Sequence, residues 1–299
     1  MKKPSSYIVS LVLSVITVFV TLALMGTMVV FIHATPEKAI SLAQDKQTAP
    51  MILNELESYF KDRTSSSGIP ANVYTDAVSE SLIRDIRDQQ IRDGFMFMKS
   101  GNTSDGIADL DKLDESLEQF FSSYASENGI EKDKKYDTAL EKAQTSARKV
   151  VSEKCDIYKM SSLRSHGVLK KVGVIYRDLV YIIAGLFGAA AVLILLLILT
   201  CRKEKRSVLY WLGVSCLIAG AVGTIPSAIL LGTGYFNSFS IKQPSVFTAY
   251  TSAMNGLTSA FMAASIAVTA VGIAMLIVYG VLLSKERSVT PTDVSNVSK

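Results

Sequence analysis

Leu179–Thr200 reads LVYIIAGLFGAAAVLILLLILT, a run without Asp, Glu, Lys or Arg. About 20 apolar residues in a helix match the hydrocarbon thickness of a bilayer. Three other stretches share this property: Tyr7 to Ile32, Val208 to Leu231 and Leu257 to Leu283. In hydrocarbon every backbone N–H and C=O must find a partner within the spanning structure, and a helix supplies one for each. The sequence therefore predicts an all-α membrane protein with four transmembrane helices, at 7–32, 179–200, 208–231 and 257–283. The same runs exclude a soluble globule, a disordered chain and a nucleic-acid binder. The first partner they imply is the lipid bilayer.

Charge then assigns sides. The 299 residues carry a net +4, but residues 33–178 hold 21 Lys+Arg against 24 Asp+Glu. Long segments cross a membrane largely regardless of charge, so the cations of short connections decide orientation. Arg202, Lys203, Lys205 and Arg206 crowd the connection 201–207; Lys2 and Lys3 precede the first run, and Lys285 and Arg287 follow the last. The connection 232–256 has Lys242 and no acid. Residues 1–6, 201–207 and 284–299 are accordingly expected in the cytoplasm. Residues 33–178 and 232–256 are expected outside the plasma membrane. Arg164, Lys170, Lys171 and Arg177, beside the outer end of the second span, oppose this locally; four spans with both ends inside satisfy the short connections together. The first run exceeds the roughly 7–15 apolar residues of a signal peptide, which favours a retained anchor.

Within 33–178 the apolar residues recur at helical intervals. Ile107, Leu110, Leu113, Leu117, Phe120, Phe121 and Tyr124 form one stripe; Tyr136, Leu140, Ala143, Ala147, Val150 and Val151 form a second. Leu82, Ile83, Ile86, Ile91, Phe95 and Met98 make a third, and Ile52, Leu53, Leu56, Tyr59 and Phe60 a weaker fourth. Breaks fall at Thr64–Pro70, around Gly101 and Gly106, and at Asn128–Gly129, where Gly and Pro end helices. The expectation is an extracytoplasmic helical bundle inserted between spans 1 and 2. A helix over 131–166 is expected to run about 54 Å toward the second span.

No chemical motif emerges. The two histidines, His33 and His166, lie apart, and there is no Gly-rich phosphate loop or Cys-x-x-Cys pair. The acids Asp105, Asp109, Asp111, Asp114 and Glu115 lack the spacing of a calcium-binding EF-hand loop. Neither a cofactor nor a metal is expected, and catalytic residues cannot be named. The three cysteines, Cys155, Cys201 and Cys216, fall at different depths, so no disulfide within the chain is expected. None of the four runs contains an ionisable Asp, Glu, Lys or Arg of the kind that proton relays and voltage sensors place in the membrane.

Two groups stand as candidate contacts. Arg202, Lys203, Lys205 and Arg206 suit an inner-face lipid or a partner protein. Tyr235, Phe236, Phe239, Phe247 and Tyr250 suit the membrane surface or packing beneath the helical domain, with a partner at the outer surface as the sharper alternative, since aromatic anchors concentrate binding energy. Small residues four apart, such as Ala184 with Gly188 and Ala219 with Gly223, let membrane helices approach closely. Tyr7, Tyr210 and Trp211 fall at one expected interfacial level.

Gly68-Ile69-Pro70, Val73-Tyr74 and Asp76, followed by Phe95-Met96-Phe97-Met98 and Asp109 to Leu117, resemble the outer domain of four-span membrane proteins of Gram-positive bacteria. That resemblance implies the same topology and brings no activity with it. In topology the chain is also similar to bacterial sensory receptors, from which it departs in having only short cytoplasmic segments. The expectation is a non-enzymatic surface sensor or accessory subunit, acting through its outer domain with a membrane-protein partner or a second copy. A small pore or permease component is the alternative.

Overall fold

The computed structural model describes residues 4–102, 110–202 and 204–288. All regular structure among them is helical, in the order α1 (Pro4–His33), α2 (Pro36–Asp45), α3 (Thr48–Ser67), α4 (Ala71–Thr75), α5 (Glu80–Ser100), α6 (Asp111–Glu127), α7 (Lys134–Cys155), α8 (Met160–Ser165), α9 (Val168–Thr200), α10 (Ser207–Gly232) and α11 (Pro244–Ser288). The chain divides into two compact units. One, the membrane unit, takes residues up to His33, Asp178–Phe236 and those from Asn255 on; the other, the head, takes Ala34–Arg177 and Asn237–Met254.

In the head, the four long helices α3, α5, α6 and α7 carry the four apolar stripes. Ile52, Leu56, Ile83, Ile91, Leu113, Leu117 and Val151 are buried in a single core. The ends of these helices follow from local chemistry. Ser79 Oγ accepts the Leu82 N–H at the start of α5, and Asp133 accepts from Lys135 and Tyr136 at the start of α7, relieving donors that a first turn leaves unpaired. Gly68 and Gly101 close α3 and α5 at φ +72° and +76°, a region that costs glycine nothing. Ile107 and the acids Asp105 and Asp109 lie outside the described residues.

The expected long helix over 131–166 does not form. Helix α7 ends at Cys155, and α8 starts at Met160 after an elbow in which Lys159 has φ +50°. The buried Asp156 carboxylate explains the break, because it accepts the backbone N–H groups of Met160 at 2.7 Å and Ser161 at 2.9 Å. An acid that caps a new helix start competes with continuation of the old one. Residues 244–256, expected within a connection, are helical, and Ala249, Tyr250 and Ala253 of α11 pack into the head core.

Among the described residues, Arg87 is the one large charged side chain fully buried in the head, at 1% exposure. Its Nε donates to Asp88 Oδ1 at 2.8 Å and its Nη1 to Thr48 Oγ1 at 3.0 Å. The pairing is what makes that burial tolerable, since an unpaired buried charge is strongly unfavourable. Cys155 and Tyr158 lie close enough for the Arg87 charge to act on them, yet burial dominates and pushes both groups up to about 12.

Among the described residues four helices, α1, α9, α10 and α11, are long and apolar enough to cross a membrane, and the greater part of each belongs to the membrane unit. Here the contacts are small and hydroxylated. Ser14 Oγ lies 2.7 Å from Ser215 Oγ, joining α1 to α10, and Ser10 Oγ is 3.6 Å from Cys201 Sγ. A Cβ on Gly220 would stand 2.7 Å from the Ser265 carbonyl of α11, and one on Gly272 would stand 2.7 Å from Leu217 N. Ala219 is buried and Gly223 packs on Ser265, as the small-residue spacing predicts; a Cβ on Gly188 of α9 would meet nothing within 4 Å. Tyr7 and Tyr210 both meet the Trp211 ring edge-on at 5.4 Å, and Tyr279 joins them. Pro226 sits inside α10, whose helix continues through it, and the adjacent Ser227 hydroxyl donates to the Gly223 carbonyl at 2.8 Å.

Candidate functional site

Helix α3 buries Ile52, Leu56 and Phe60 in the head core and turns two other rows of side chains outward. Residues four apart on a helix form a ridge. One ridge is Met51, Glu55, Tyr59 and Arg63; the next is Asn54, Ser58 and Asp62. Together they line an open groove of about 510 Å³, walled on its other side by Lys154 of α7 and Pro244 of α11.

The chemistry of the groove centres on Glu55, whose side chain is only 10% exposed. Its Oε1 accepts the backbone N–H of Ser245 at 2.7 Å, an unpaired donor in the first turn of α11. Its Oε2 is buried and accepts no hydrogen bond; the nearest counter-charge, Lys154 Nζ, is 3.8 Å away, within ion-pair range but too far to donate. An acceptor left in that state costs roughly 1–3 kcal/mol. Beside it the Tyr59 ring serves as a platform for cations, with Arg63 Cζ at 3.7 Å and Lys154 Nζ at 5.8 Å from its centroid. Burial lowers the Lys159 ammonium below its usual value, and Lys154 adds to this; Asp156, Glu55 and Glu153 act in the opposite direction. The groove thus has paired opposite charges, an aromatic face and an acceptor that lacks a donor.

The residues singled out from sequence lie elsewhere. Arg202 and Lys205 are exposed and Arg206 is half-buried in the turns before α10, where Glu204 Oε2 accepts from the Ser207 hydroxyl at 3.1 Å. Lys203 lies outside the described residues. The five aromatics divide between the units. Tyr235, exposed, and Phe236, buried, belong to the membrane unit and form an edge-on pair at 5.6 Å. Phe239, Phe247 and Tyr250 belong to the head and are half-buried. Tyr250 serves packing there: its hydroxyl donates to the Tyr158 carbonyl at 2.8 Å and its ring lies 6.0 Å from that of Tyr158. Asp111 and Asp114, two of the acids weighed for calcium, both face Arg148, and no group of three metal-ligating side chains occurs among the described residues.

Sequence reading missed Glu55, Arg63 and Lys154. It placed Tyr59 in the apolar stripe, although the ring is only half-buried and lines the groove. The usable signal was the four-residue spacing of Glu55, Tyr59 and Arg63, an acid, a ring and a base on one ridge. Comparison of the chain with protein-family models, with curated proteins and with solved structures found no match.

Proposed function

We propose that this chain is a non-enzymatic integral protein of the plasma membrane, a surface sensor or accessory subunit whose head lies outside the cell. The observation that carries the reading is the contrast between two short connections: Arg202, Lys203, Lys205 and Arg206 in residues 201–207, against Lys242 alone in 232–256. Cations of short loops are retained on the cytoplasmic side. In this reading the head binds a ligand or protein, and the spans meet a membrane-protein partner or a second copy. The basic connection contacts anionic headgroups, where each Lys or Arg at the surface contributes about 1 kcal/mol. Helix α11 supports a coupled role, because it lends Ala249, Tyr250 and Ala253 to the head core and continues as an apolar stretch.

Glu115 is exposed on α6 and suits a topology probe. With Glu115→Cys, a membrane-impermeant maleimide is expected to label intact cells; labelling only after permeabilisation overturns the sidedness. Solute flux through the purified protein in liposomes, with no other protein present, replaces the sensor reading with that of a small pore or permease component.

A further inference from the structure

The groove on α3 has a length, a polarity and an unmet bond. Two four-residue steps separate Glu55 from Arg63, about 12 Å along the helix axis. Four residues of extended peptide cover about 13 Å. At one end, the Glu55 Oε2 is buried and has no donor. At the other, Arg63 is exposed, and its guanidinium is held over the Tyr59 ring. Lys154 stands between them, 3.8 Å from Glu55 Oε2 and 5.8 Å from the ring centroid. Along the flank, Asn54, Ser58 and Asp62 are exposed, offering amide, hydroxyl and carboxylate groups at the repeat of the ridge. Met51 and Pro244 supply apolar surface at the Glu55 end.

We propose that this groove binds a short extended peptide about four residues long, with its terminal ammonium at Glu55 and its terminal carboxylate at Arg63. The ammonium supplies the donor that Glu55 Oε2 lacks. Lys154 is then released from its long contact with that oxygen and joins Arg63 in holding the carboxylate. The exchange is cheap because the Lys154 contact is an ion pair without a hydrogen bond. The two acids and two bases that line the groove leave it electrically balanced, which suits a dipolar ligand better than a purely anionic or cationic one. Asn54 and Ser58 can pair with the peptide backbone. The inference goes beyond the sensor reading and holds on whichever side of the membrane the head lies.

The test uses the full chain in lipid nanodiscs and isotopically labelled tetra-alanine with free termini. Saturable binding is expected, weakened about tenfold or more by N-acetylation and by C-amidation, each removing a charged contact. Glu55→Gln keeps an acceptor for Ser245 N–H while removing the charge. It is expected to weaken tetra-alanine about tenfold and to leave the N-acetylated peptide unaffected. Arg63→Glu changes an exposed side chain outside the core, so folding is retained, and it is expected to reduce the effect of C-amidation to the part that Lys154 supplies. Dialanine, too short to reach both ends, is expected to bind more weakly than tetra-alanine. No saturable binding of tetra-alanine up to about 10 mM overturns the proposal. So does binding that ignores both capping and Glu55→Gln. Either result leaves the maleimide test of sidedness, and the reading it checks, untouched.

Discussion

The head and the membrane unit are both made of helices, yet their interiors use different residues. In the head, contact is made by large aliphatic side chains such as Ile52, Ile83, Leu113 and Leu117, all fully buried. In the membrane unit the most buried contacts include Ser215, Ala219 and Ser265, while Phe19, Ile225 and Ile277 are exposed. Water rewards burial of apolar area, so the head gathers its largest side chains. Lipid tails are as apolar as leucine and give no such reward, so membrane helices associate through close backbone approach and hydrogen bonds. Glycine does not follow this contrast: Gly94 and Gly173 in the head, like Gly213, Gly220 and Gly272 in α10 and α11, lie within helices where a Cβ would strike a facing element.

The sharpest way to break this comparison is to place a cavity or an orphaned charge in the head. Arg87→Ala is expected to cost about 3–5 kcal/mol, because it strips Thr48 and Asp88 of a buried partner. Leu117→Ala is expected to cost about 2–5 kcal/mol. Hydrogen exchange of head peptides in the full chain measures both; loss below 1 kcal/mol for Leu117→Ala means that the head core does not carry the head's stability. Next in size, Gly220→Val forces α10 away from Ser265 and Thr269 of α11 and is expected to cost about 1–3 kcal/mol. Trp211 is the single tryptophan and lies in α10, so its fluorescence during denaturation in micelles follows this unit. An unchanged midpoint disproves the close approach.

Smaller still, Ser215→Ala removes hydrogen bonds at the α1–α10 contact and is expected to cost about 0.6 kcal/mol, the typical size for such bonds in membranes. A cost as large as that of Leu117→Ala erases the distinction between the units. At neutral pH the least effect comes from Cys155. Burial raises its thiol from 9.0 to about 12, and Tyr158 rises from 10.0 to about 12. Above pH 9 the unfolded chain loses protons that the folded head retains, so head stability is intact below pH 9 and falls as pH climbs toward 12. Cys155→Ala is expected to flatten the portion beginning near pH 9 and leave the Tyr158 portion, read from alkaline unfolding curves. An unaltered curve excludes the thiol as its source.

The apolar stripes anticipated the head well, because residues three and four apart share a face however the helices later pack. Leu113 and Leu117 on one stripe and Ile83 and Ile91 on another are in the core. The elbow after Cys155 was not legible. Asp156 looks like any acid on a solvated helix until its carboxylate is seen accepting from Met160 and Ser161. The aromatics of 232–256 left the membrane surface, packing beneath the helical domain and a partner site open, and the start of α11 at Pro244 draws Tyr250 into the head. The groove was less legible again. Lys154 lies far along the chain from Glu55, and only tertiary packing brings a base to 3.8 Å from a carboxylate oxygen.

By itself the sequence determined what depends on composition over a whole segment: four runs able to span a membrane, helical periodicity in the head, and an asymmetry of charge between short connections. These are sums over many residues, and no single contact can reverse them. The tertiary structure alone decided the elbow at Asp156, the capture of the first turn of α11 by Glu55, and the glycine contacts of α10 with α11. Each depends on the placement of a few atoms from distant parts of the chain, for which local spacing holds no information.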